Sequence, residues 1–547
     1  MYLRTGLSAF LLCVMASSLS GCGGSGSTTQ RDMEKARTLI ADQILFVGNG
    51  AEPEALDPHT VTGVPEHHIL TALFEGLVGM DAATLTPIPA VAKSWDISDD
   101  KKVYTFHLRE DARWSNGESL TAKDFLYAWQ RILTPALASK YNYMLYPIKN
   151  ARAFSEGKIT DFNQVGCKAL DEHTVEVTLE NPTPYFLQLQ IHYTWFPVHQ
   201  ATIEKFGTMD ERNTKWTRVG NMVSNGPYLL TKWEPNNVIE TRLNEYYWNK
   251  DIIRLKGVNF YPVSDEQTED RMFRSAELHM TENVLIQRVP VYQRENPQFI
   301  RTDPWIGSYF YRINITRKPF DDVRIRRALA MAVDRDAITT NILHGGETSG
   351  ESLTPKNVNG YTANAAVHFD PEGAKALLAE AGYPDGEGFP TFEILYNTAE
   401  KHKIIAVAIQ QMWKQTLGID VQIVNQDWKV YLSSTSNDTM NYDVARAGWI
   451  GDFVDPVNFL ECFTTGNGNN RTGWSNAEYD ALIEESARTA DEAARFELFQ
   501  QAEAILTEEM PLIPIYHYTR PFLIGPEVKN FQPNLLGYVP YHTLWLE

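Results

Sequence analysis

Cysteine is scarce in this sequence, and its placement excludes a fold held together by many disulfide bonds. Of the four cysteines in 547 residues, Cys13 and Cys22 fall near the start, and Cys167 and Cys462 lie far apart. No Cys-x-x-Cys motif occurs, so neither a redox motif nor a paired zinc site is indicated. Cys167 and Cys462 can be bridged or free, and both alternatives stay open.

An excess of basic residues is also absent. Lys and Arg number 49 against 69 Asp and Glu, which gives a formal net charge of −20. Binding of nucleic acid needs a clustered basic surface, and no run of Lys and Arg supplies one. We therefore expect no nucleic-acid partner, and we interpret the charge as that of a well-solvated acidic surface.

The common catalytic motifs are missing as well. The sequence has no Gly-x-Ser-x-Gly, no His-Glu-x-x-His, no P-loop, and no Gly-x-Gly-x-x-Gly turn between a strand and a helix. The glycine-rich stretch 466–470 is expected to be a loop. His67 and His68 are adjacent and should point apart, which favours surface histidines over a metal site. We expect no enzyme activity, metal or cofactor, and we keep an exported hydrolase as a remote alternative.

The N-terminal segment is typical of an export sequence. Arg4 precedes a mostly apolar run that is too short to span a bilayer, and no later stretch is apolar enough to do so. The tetrapeptide Leu-Ser-Gly-Cys that ends at Cys22 resembles the lipobox of bacterial lipoproteins, which implies loss of residues 1–21 and a lipid on Cys22. Residues 22–29 would form a flexible tether. An ordinary signal peptide is the alternative; a lipid would anchor the protein to a membrane, in the periplasm or at the cell surface.

The remaining sequence alternates between helical and strand patterns, which indicates an α/β protein. Its length predicts two or three domains. Residues 103–108 alternate as a strand, and 121–133 form an amphipathic helix with a capping-box start. A helix is predicted over 370–382 from its acidic cap, early proline and terminal glycine. Longer helical patterns cover 322–338 and 477–508.

One apolar stretch, Ala445 to Leu460, contains two opposite charges. Arg446 and Asp452 lie on either side of Trp449 in an otherwise apolar and small-residue segment. A salt bridge at the end of a strand is one interpretation. The other is a site for a ligand that carries a charge at each end.

Five longer segments resemble a known family. They are similar to solute-binding proteins that serve peptide and nickel ABC importers, and the similarity is strongest to the oligopeptide-binding members. The segments are 63–81, 89–129, 223–249, 318–338 and 442–460, and the resemblance as a whole extends over nearly the entire chain after the tether.

This resemblance implies an α/β fold of the type II periplasmic-binding-protein kind, with two lobes that close over the ligand about a hinge. Three domains are expected, and the first is discontinuous. It comprises 30–74, about 200–306 and 521–547; the second comprises 75–199; and the third, the opposing lobe, comprises 307–520. The hinge would lie where the chain crosses near 306 and 520.

The resemblance also implies a peptide-binding site with charged ends. Asp452 matches an aspartate that holds the peptide α-ammonium, and Arg446 matches an arginine that meets a peptide carboxylate. His402 matches a histidine used for some peptide lengths. The pocket walls would be Trp428, Trp449, Tyr141 and Tyr518, and the backbone of Val64, Gly448 and Ile450 would pair with an extended peptide.

Two departures from the family pattern accompany these matches. A lysine that contacts the carboxylate of one peptide length in a well-known member falls near Leu343 here, so length preference can differ. A disulfide of that member corresponds to Gly307 and Ile450, and neither is cysteine.

The partners implied are an oligopeptide and an ABC-type membrane permease, and we expect a monomer. Murein tripeptide, a dipeptide or another small solute is the alternative ligand. Retention of Asp452 disfavours a nickel chelate.

Overall fold

The computed structural model describes residues 29–547. The predicted export sequence, the predicted lipid site at Cys22 and most of the tether lie outside these residues. Within the described part of the chain, no helix is long and apolar enough to cross a membrane.

The strands run from near the start of the described chain to its end. They are β1 (Ile44–Gly48), β2 (Val78–Met80), β3 (Pro87–Pro89), β4 (Ala92–Ile97), β5 (Val103–Leu108), β6 (Cys167–Asp171), β7 (Thr174–Thr178), β8 (Tyr228–Glu234), β9 (Val238–Leu243), β10 (Gly257–Tyr261), β11 (Ile300–Ile313), β12 (Thr348–Ser349), β13 (Phe392–Asn397), β14 (Val421–Gln426), β15 (Val444–Ile450), β16 (Leu512–Leu523), β17 (Val528–Lys529) and β18 (Trp545–Leu546).

The helices are interspersed with these strands. They are α1 (Met33–Leu39), α2 (Val64–Leu73), α3 (Ala122–Leu133), α4 (Ala151–Ser155), α5 (Phe186–Leu189), α6 (Gln200–Phe206), α7 (Glu266–Arg274), α8 (Val289–Glu295), α9 (Val323–Met331), α10 (Arg335–Asn341), α11 (Pro371–Glu380), α12 (Glu400–Leu417), α13 (Trp428–Ser434), α14 (Val457–Leu460), α15 (Ala477–Arg488) and α16 (Glu492–Glu509).

Two four-stranded sheets form in the part of the chain before β11. One has the order β1-β10-β9-β8, with β1 and β10 parallel. The other has the order β4-β5-β7-β6 and is antiparallel. The predicted alternation in β5 is confirmed, because Tyr104, Phe106 and Leu108 are buried. The predicted capping box of α3 is also present, between Thr121 and Asp124.

A six-stranded mixed sheet, with the order β12-β16-β11-β15-β13-β14, forms the centre of the rest of the chain. The parallel strands β13 and β14 are connected by α12, whose apolar residues Ile405, Ile409 and Trp413 are buried. This helix ends at Gly418, which has a φ of 72°. Glycine adopts that left-handed conformation without a steric penalty, which is why the helix stops there.

The strands β11 and β16 carry the chain past the predicted crossing points near 306 and 520. They are antiparallel neighbours, and their register shifts between Pro304 and Ser308. Such a bulge bends a strand and increases its twist.

Two long helical patterns are wrong in one respect, because each is two helices. The pattern over 322–338 breaks between α9 and α10, where Asp334 accepts a hydrogen bond from the Ala337 N–H. The pattern over 477–508 breaks between α15 and α16, where Asp491 accepts from the Ala494 N–H. In both cases an aspartate cap starts a new helix, which the apolar periodicity alone does not reveal.

The two cysteines in the described residues are both buried and free. This decides the alternative left open by the sequence, since Cys167 and Cys462 do not form a disulfide. Gly307 and Ile450 are directly opposite each other on β11 and β15.

Candidate functional site

A cavity of about 610 Å³ lies between the six-stranded sheet and the part of the chain that precedes it. All ten residues that the sequence singled out for ligand binding line it: Val64, Tyr141, His402, Trp428, Arg446, Gly448, Trp449, Ile450, Asp452 and Tyr518. The structure therefore brings together residues that are distant in the chain.

The strand β15 forms one wall of the cavity. Side chains alternate along a strand, so Arg446, Gly448 and Ile450 share one face and Trp449 points to the other. On its second side, β15 pairs with β13 only at Val444 and Ala445. Among the described residues no strand covers that edge of β15 beyond Ala445.

Asp452, just beyond the end of β15, is a buried carboxylate without a counter-ion in contact. Its Oδ1 lies 3.5 Å from Nε2 of His192, and its Oδ2 is buried without a hydrogen-bond partner. Burial raises the pKa of Asp452 to about 7, which nearby Tyr141 and Asn458 offset only in part. Burial also holds the pKa of His192 well below its usual value, so this imidazole is neutral.

An aromatic wall surrounds Asp452. The ring of Tyr141 lies 5.9 Å from that of Trp449 and 5.0 Å from that of His192. His67 stacks on His192 at 6.0 Å. The expectation that His67 and His68 are surface histidines is wrong, because both line this cavity and burial lowers the pKa of each to about 3.

These histidines were missed because no sequence pattern connects them. His67 and His192 meet only through the packing of α2 against the segment after α5. No group of His, Cys, Asp and Glu among residues 29–547 could hold a metal ion.

Arg446 occupies a different part of the cavity from Asp452. Its Nη1 donates to Oδ1 of Asn397 at 3.1 Å, and its Nη2 donates to the hydroxyl of Tyr518 at 2.7 Å. The guanidinium lies 4.9 Å from the ring centre of Tyr309. Arg446 and Asp452 do not form an ion pair, so the salt-bridge interpretation of the 445–460 stretch is wrong.

Three further residues of the predicted site, His402, Trp428 and Val64, lie at or near the starts of helices. His402, near the start of α12, has Nδ1 3.4 Å from the Tyr309 hydroxyl. Trp428 begins α13 and stacks on Tyr431 at 5.9 Å. Val64 is the first residue of α2, so its backbone lies at a helix start rather than on a strand.

Because Gly448 has no side chain, Tyr518 and Arg446 can pack close to its backbone. A Cβ atom at this position would lie 2.5 Å from the Tyr518 hydroxyl and 3.1 Å from Nη2 of Arg446. A side chain here would therefore disturb the hydrogen bond between these two residues.

A buried carboxylate, an arginine and an uncovered strand edge in one interlobe cavity are the features of a binding protein for an extended, charged solute. Residues 86–471 match the model of the bacterial extracellular solute-binding proteins, family 5. The chain belongs to this family.

Individual relatives match this chain over nearly its full length and over nearly all of their own. The periplasmic oligopeptide-binding protein OppA of Salmonella typhimurium is 38% identical over 95% of each chain. The crystal structure of Haemophilus influenzae OppA in complex with RPPGFSPFR has a TM-score of 0.88 at 34% identity, covering 92% of this chain and 99% of that one. The fold is therefore an α/β fold of the type II periplasmic-binding-protein kind.

The overall arrangement is more similar to that of a peptide complex than to that of an unliganded open relative. The unliganded open form of the murein tripeptide-binding protein MppA has a TM-score of only 0.61, at 34% identity over 92% of this chain and 97% of that one. The peptide complex, at nearly the same identity and coverage, matches far better.

Proposed function

We propose that this protein captures oligopeptides outside the cytoplasm and delivers them to an ABC-type peptide importer. The observation that carries the proposal is the buried Asp452 carboxylate, which lacks a counter-ion in the cavity. The N-terminal ammonium of a peptide would supply the missing charge and hydrogen bonds. The names of the relatives, oligopeptide-binding proteins among them, support the same function.

The uncovered edge of β15 is suited to the peptide backbone. An extended peptide that adds to this edge would pair with main-chain groups near Gly448 and Ile450. Main-chain pairing does not depend on side-chain identity, so it gives affinity for many sequences.

The ends of the peptide would be held by charge. Asp452 would bind the α-ammonium, and Arg446 would bind a carboxylate through the fork of its guanidinium. Arg446 has a free Nε, and it is held by Asn397 and Tyr518 rather than by an acid. His402 would serve peptides of another length, and the walls would be lined by Trp428, Trp449, Tyr141 and Tyr518. The backbone of Val64 would pair with the peptide, as proposed for Gly448 and Ile450.

Closure would occur about β11 and β16. The proposed domains are 30–74 with 200–306 and 521–547, then 75–199, and then 307–520. The bulge between Pro304 and Ser308 lies where the chain passes from the first of these domains to the third. A short irregular stretch in two neighbouring strands can absorb the change in backbone angles that domain closure requires.

We further propose where the protein is held in the cell and in what state. The sequence around Cys22 supports a lipid anchor that would hold the protein at a membrane surface. We also propose that the protein is a monomer. We propose that the protein has no catalytic activity, in keeping with its membership of a family of solute-binding proteins.

The decisive experiment is mass spectrometry of ligand that stays bound through purification, followed by calorimetry on protein refolded without ligand. The expected result is a mixture of peptides, which bind again when added back. N-acetylation of a peptide should abolish most of its affinity, because it removes the ammonium. Tight binding of the acetylated peptide would refute the role of Asp452.

Murein tripeptide is the second candidate, because the relative MppA is named for it. It also carries a free α-ammonium, so Asp452 suits both ligands. A single murein peptide in the mass spectrum would decide for it, whereas peptides of varied sequence would decide against it.

A further inference from the structure

Two further arginines, Arg312 and Arg471, line the same cavity. Arg312 lies on β11, where residues alternate between the two faces of the sheet. It shares a face with Phe310, whereas Tyr311 lies directly opposite Arg446 on the other face. Residues opposite each other in an antiparallel pair point to the same side. Arg312 is therefore separated by the sheet from Arg446.

Neither of these arginines has an acidic partner among the described residues. Arg312 is half-buried, and its Nη1 is enclosed without a hydrogen-bond partner. Arg471 is 8% exposed, and its guanidinium has two long contacts, to the hydroxyls of Thr435 at 3.5 Å and Thr62 at 3.4 Å.

Buried arginines elsewhere in residues 29–547 are compensated. Arg131 pairs with Asp57 at 2.6 Å, and Arg495 pairs with Asp455 at 2.7 Å. Arg326 and Arg335 donate to several backbone carbonyls instead. Enclosing guanidinium atoms without such partners is unfavourable, so the buried Arg471 and the enclosed Nη1 of Arg312 stand apart.

The two arginines also act on each other. Burial lowers the pKa of Arg471 to about 10, and the positive charge of Arg312 lowers it further in the same direction. Both guanidiniums are close enough to Tyr442 to influence its hydroxyl. Two like charges that line one cavity form a place where an anion would be stabilised by both.

We propose that Arg312 and Arg471 form an anion subsite that binds a carboxylate within the ligand, separate from the terminal carboxylate. The inference rests on the proposed function and deepens it to a preference for acidic peptides. An extended peptide on the edge of β15 directs alternate side chains to the two faces of the sheet. A side chain on the Phe310 face would enter the region of Arg312 and Arg471.

Two kinds of peptide could supply the carboxylate that binds at Arg312 and Arg471. An Asp or Glu side chain supplies it in an ordinary peptide, and the free α-carboxylate supplies it in a peptide joined through the γ-carboxyl of glutamate. The planar guanidinium can accept either carboxylate with two parallel hydrogen bonds.

The test uses refolded protein and tetrapeptides of alanine in which one position at a time is Glu or Gln. At one position, the Glu peptide should bind about 10- to 100-fold more tightly than its Gln twin, the range for a hydrogen bond to a charged group. A γ-linked glutamyl peptide, compared with its amide, tests the second source. C-terminal amidation of the same peptides tests whether the terminal carboxylate is the group involved.

Variants assign the preference to its residues. In Arg312→Gln and in Arg471→Gln the ratio of Glu to Gln affinity should fall towards one, and Arg312→Lys should retain part of it. Arg488→Gln is the matched control, since Arg488 is an exposed arginine on α15 outside the cavity. Thermal melting checks that each variant is folded.

The outcomes separate this inference from the proposed function. If peptides bind but Glu and Gln twins bind equally, the anion subsite is refuted and peptide capture stands. If the preference follows the C-terminal carboxylate alone, the subsite is also refuted. If no peptide binds, both the function and the subsite are refuted.

Discussion

The carboxylate of Asp452 lies 3.5 Å from Nε2 of His192, an imidazole that burial keeps neutral. The pair therefore holds no positive charge, and one oxygen of Asp452 remains without a hydrogen-bond partner. Such a carboxylate is costly in an empty cleft and favourable once a cation binds. The neutral His192 leaves that role to the ligand.

Replacement of Asp452 by Asn tests this relationship. Asp452→Asn keeps the shape of the side chain and removes its charge, so a free peptide should lose about 2–5 kcal/mol of binding free energy. Calorimetry measures the loss. An N-acetylated peptide is the control, since its weak affinity should be the same for both proteins.

The two charged residues should also differ in their dependence on peptide length. For long peptides, whose carboxylate lies beyond Arg446, Arg446→Ala should cost less binding free energy than Asp452→Ala. Equal losses of binding free energy at all lengths would contradict the separate roles.

The affinity for peptides should depend on pH in a predictable direction. Burial raises the pKa of Asp452 to about 7, so below that pH the empty site is protonated. Binding of an ammonium must then release the proton, and affinity should fall about tenfold for each pH unit below 7. Above about pH 8 the peptide amine loses its own proton, and affinity should fall again.

Calorimetry in buffers of different ionisation enthalpy measures this proton release directly. Asp452→Asn is the control, because its acid limb should be flat. Constant affinity between pH 5 and 7 in the unmodified protein would contradict the raised pKa.

Gly448 offers a test of the wall near Arg446. In Gly448→Ala the new methyl group would lie 2.5 Å from the Tyr518 hydroxyl, so Tyr518 must shift, which disturbs its hydrogen bond with Arg446. We expect a loss of about 1–3 kcal/mol in peptide binding, measured by calorimetry. Gly79→Ala is the matched control, because a methyl group there would meet Ile88 at an ordinary 3.4 Å. Equal affinities of the two variants would exclude a role for this wall.

Local features of this chain could be predicted from the sequence, and features formed by distant packing could not. The alternation of β5 and the capping box at the start of α3 depend on neighbours in the chain, so their patterns are visible. The approach of His192 to Asp452 depends on how two distant segments pack. The ten proposed binding residues came from resemblance; the structure puts them in one cavity, and their roles stay predictions.

The contact between Gln188 and Val454 tests closure of the cleft. Oε1 of Gln188 accepts a hydrogen bond from the Val454 N–H at 3.0 Å, between the proposed second and third domains. Gln188→Ala should weaken the closed form by about 1 kcal/mol, or roughly fivefold in peptide affinity. Small-angle scattering should show that more peptide is needed to reach the compact form. Gln501→Ala, an exposed glutamine on α16, is the control, and identical titrations of both variants would argue against this contact.

The number of reactive thiols tests the predicted lipid anchor together with the buried cysteines. Burial raises the pKa of Cys167 to about 12 and that of Cys462 well above its usual range, so neither should react with a thiol reagent in the folded protein. After unfolding, membrane-purified protein should show two thiols, because cleavage removes Cys13 and the lipid blocks Cys22. The full chain expressed without export should show all four. A third thiol in the membrane form would mean that Cys22 is unmodified, and the predicted lipid anchor would have to be abandoned.

Addition of a reducing agent should leave the melting temperature unchanged, since Cys167 and Cys462 are free.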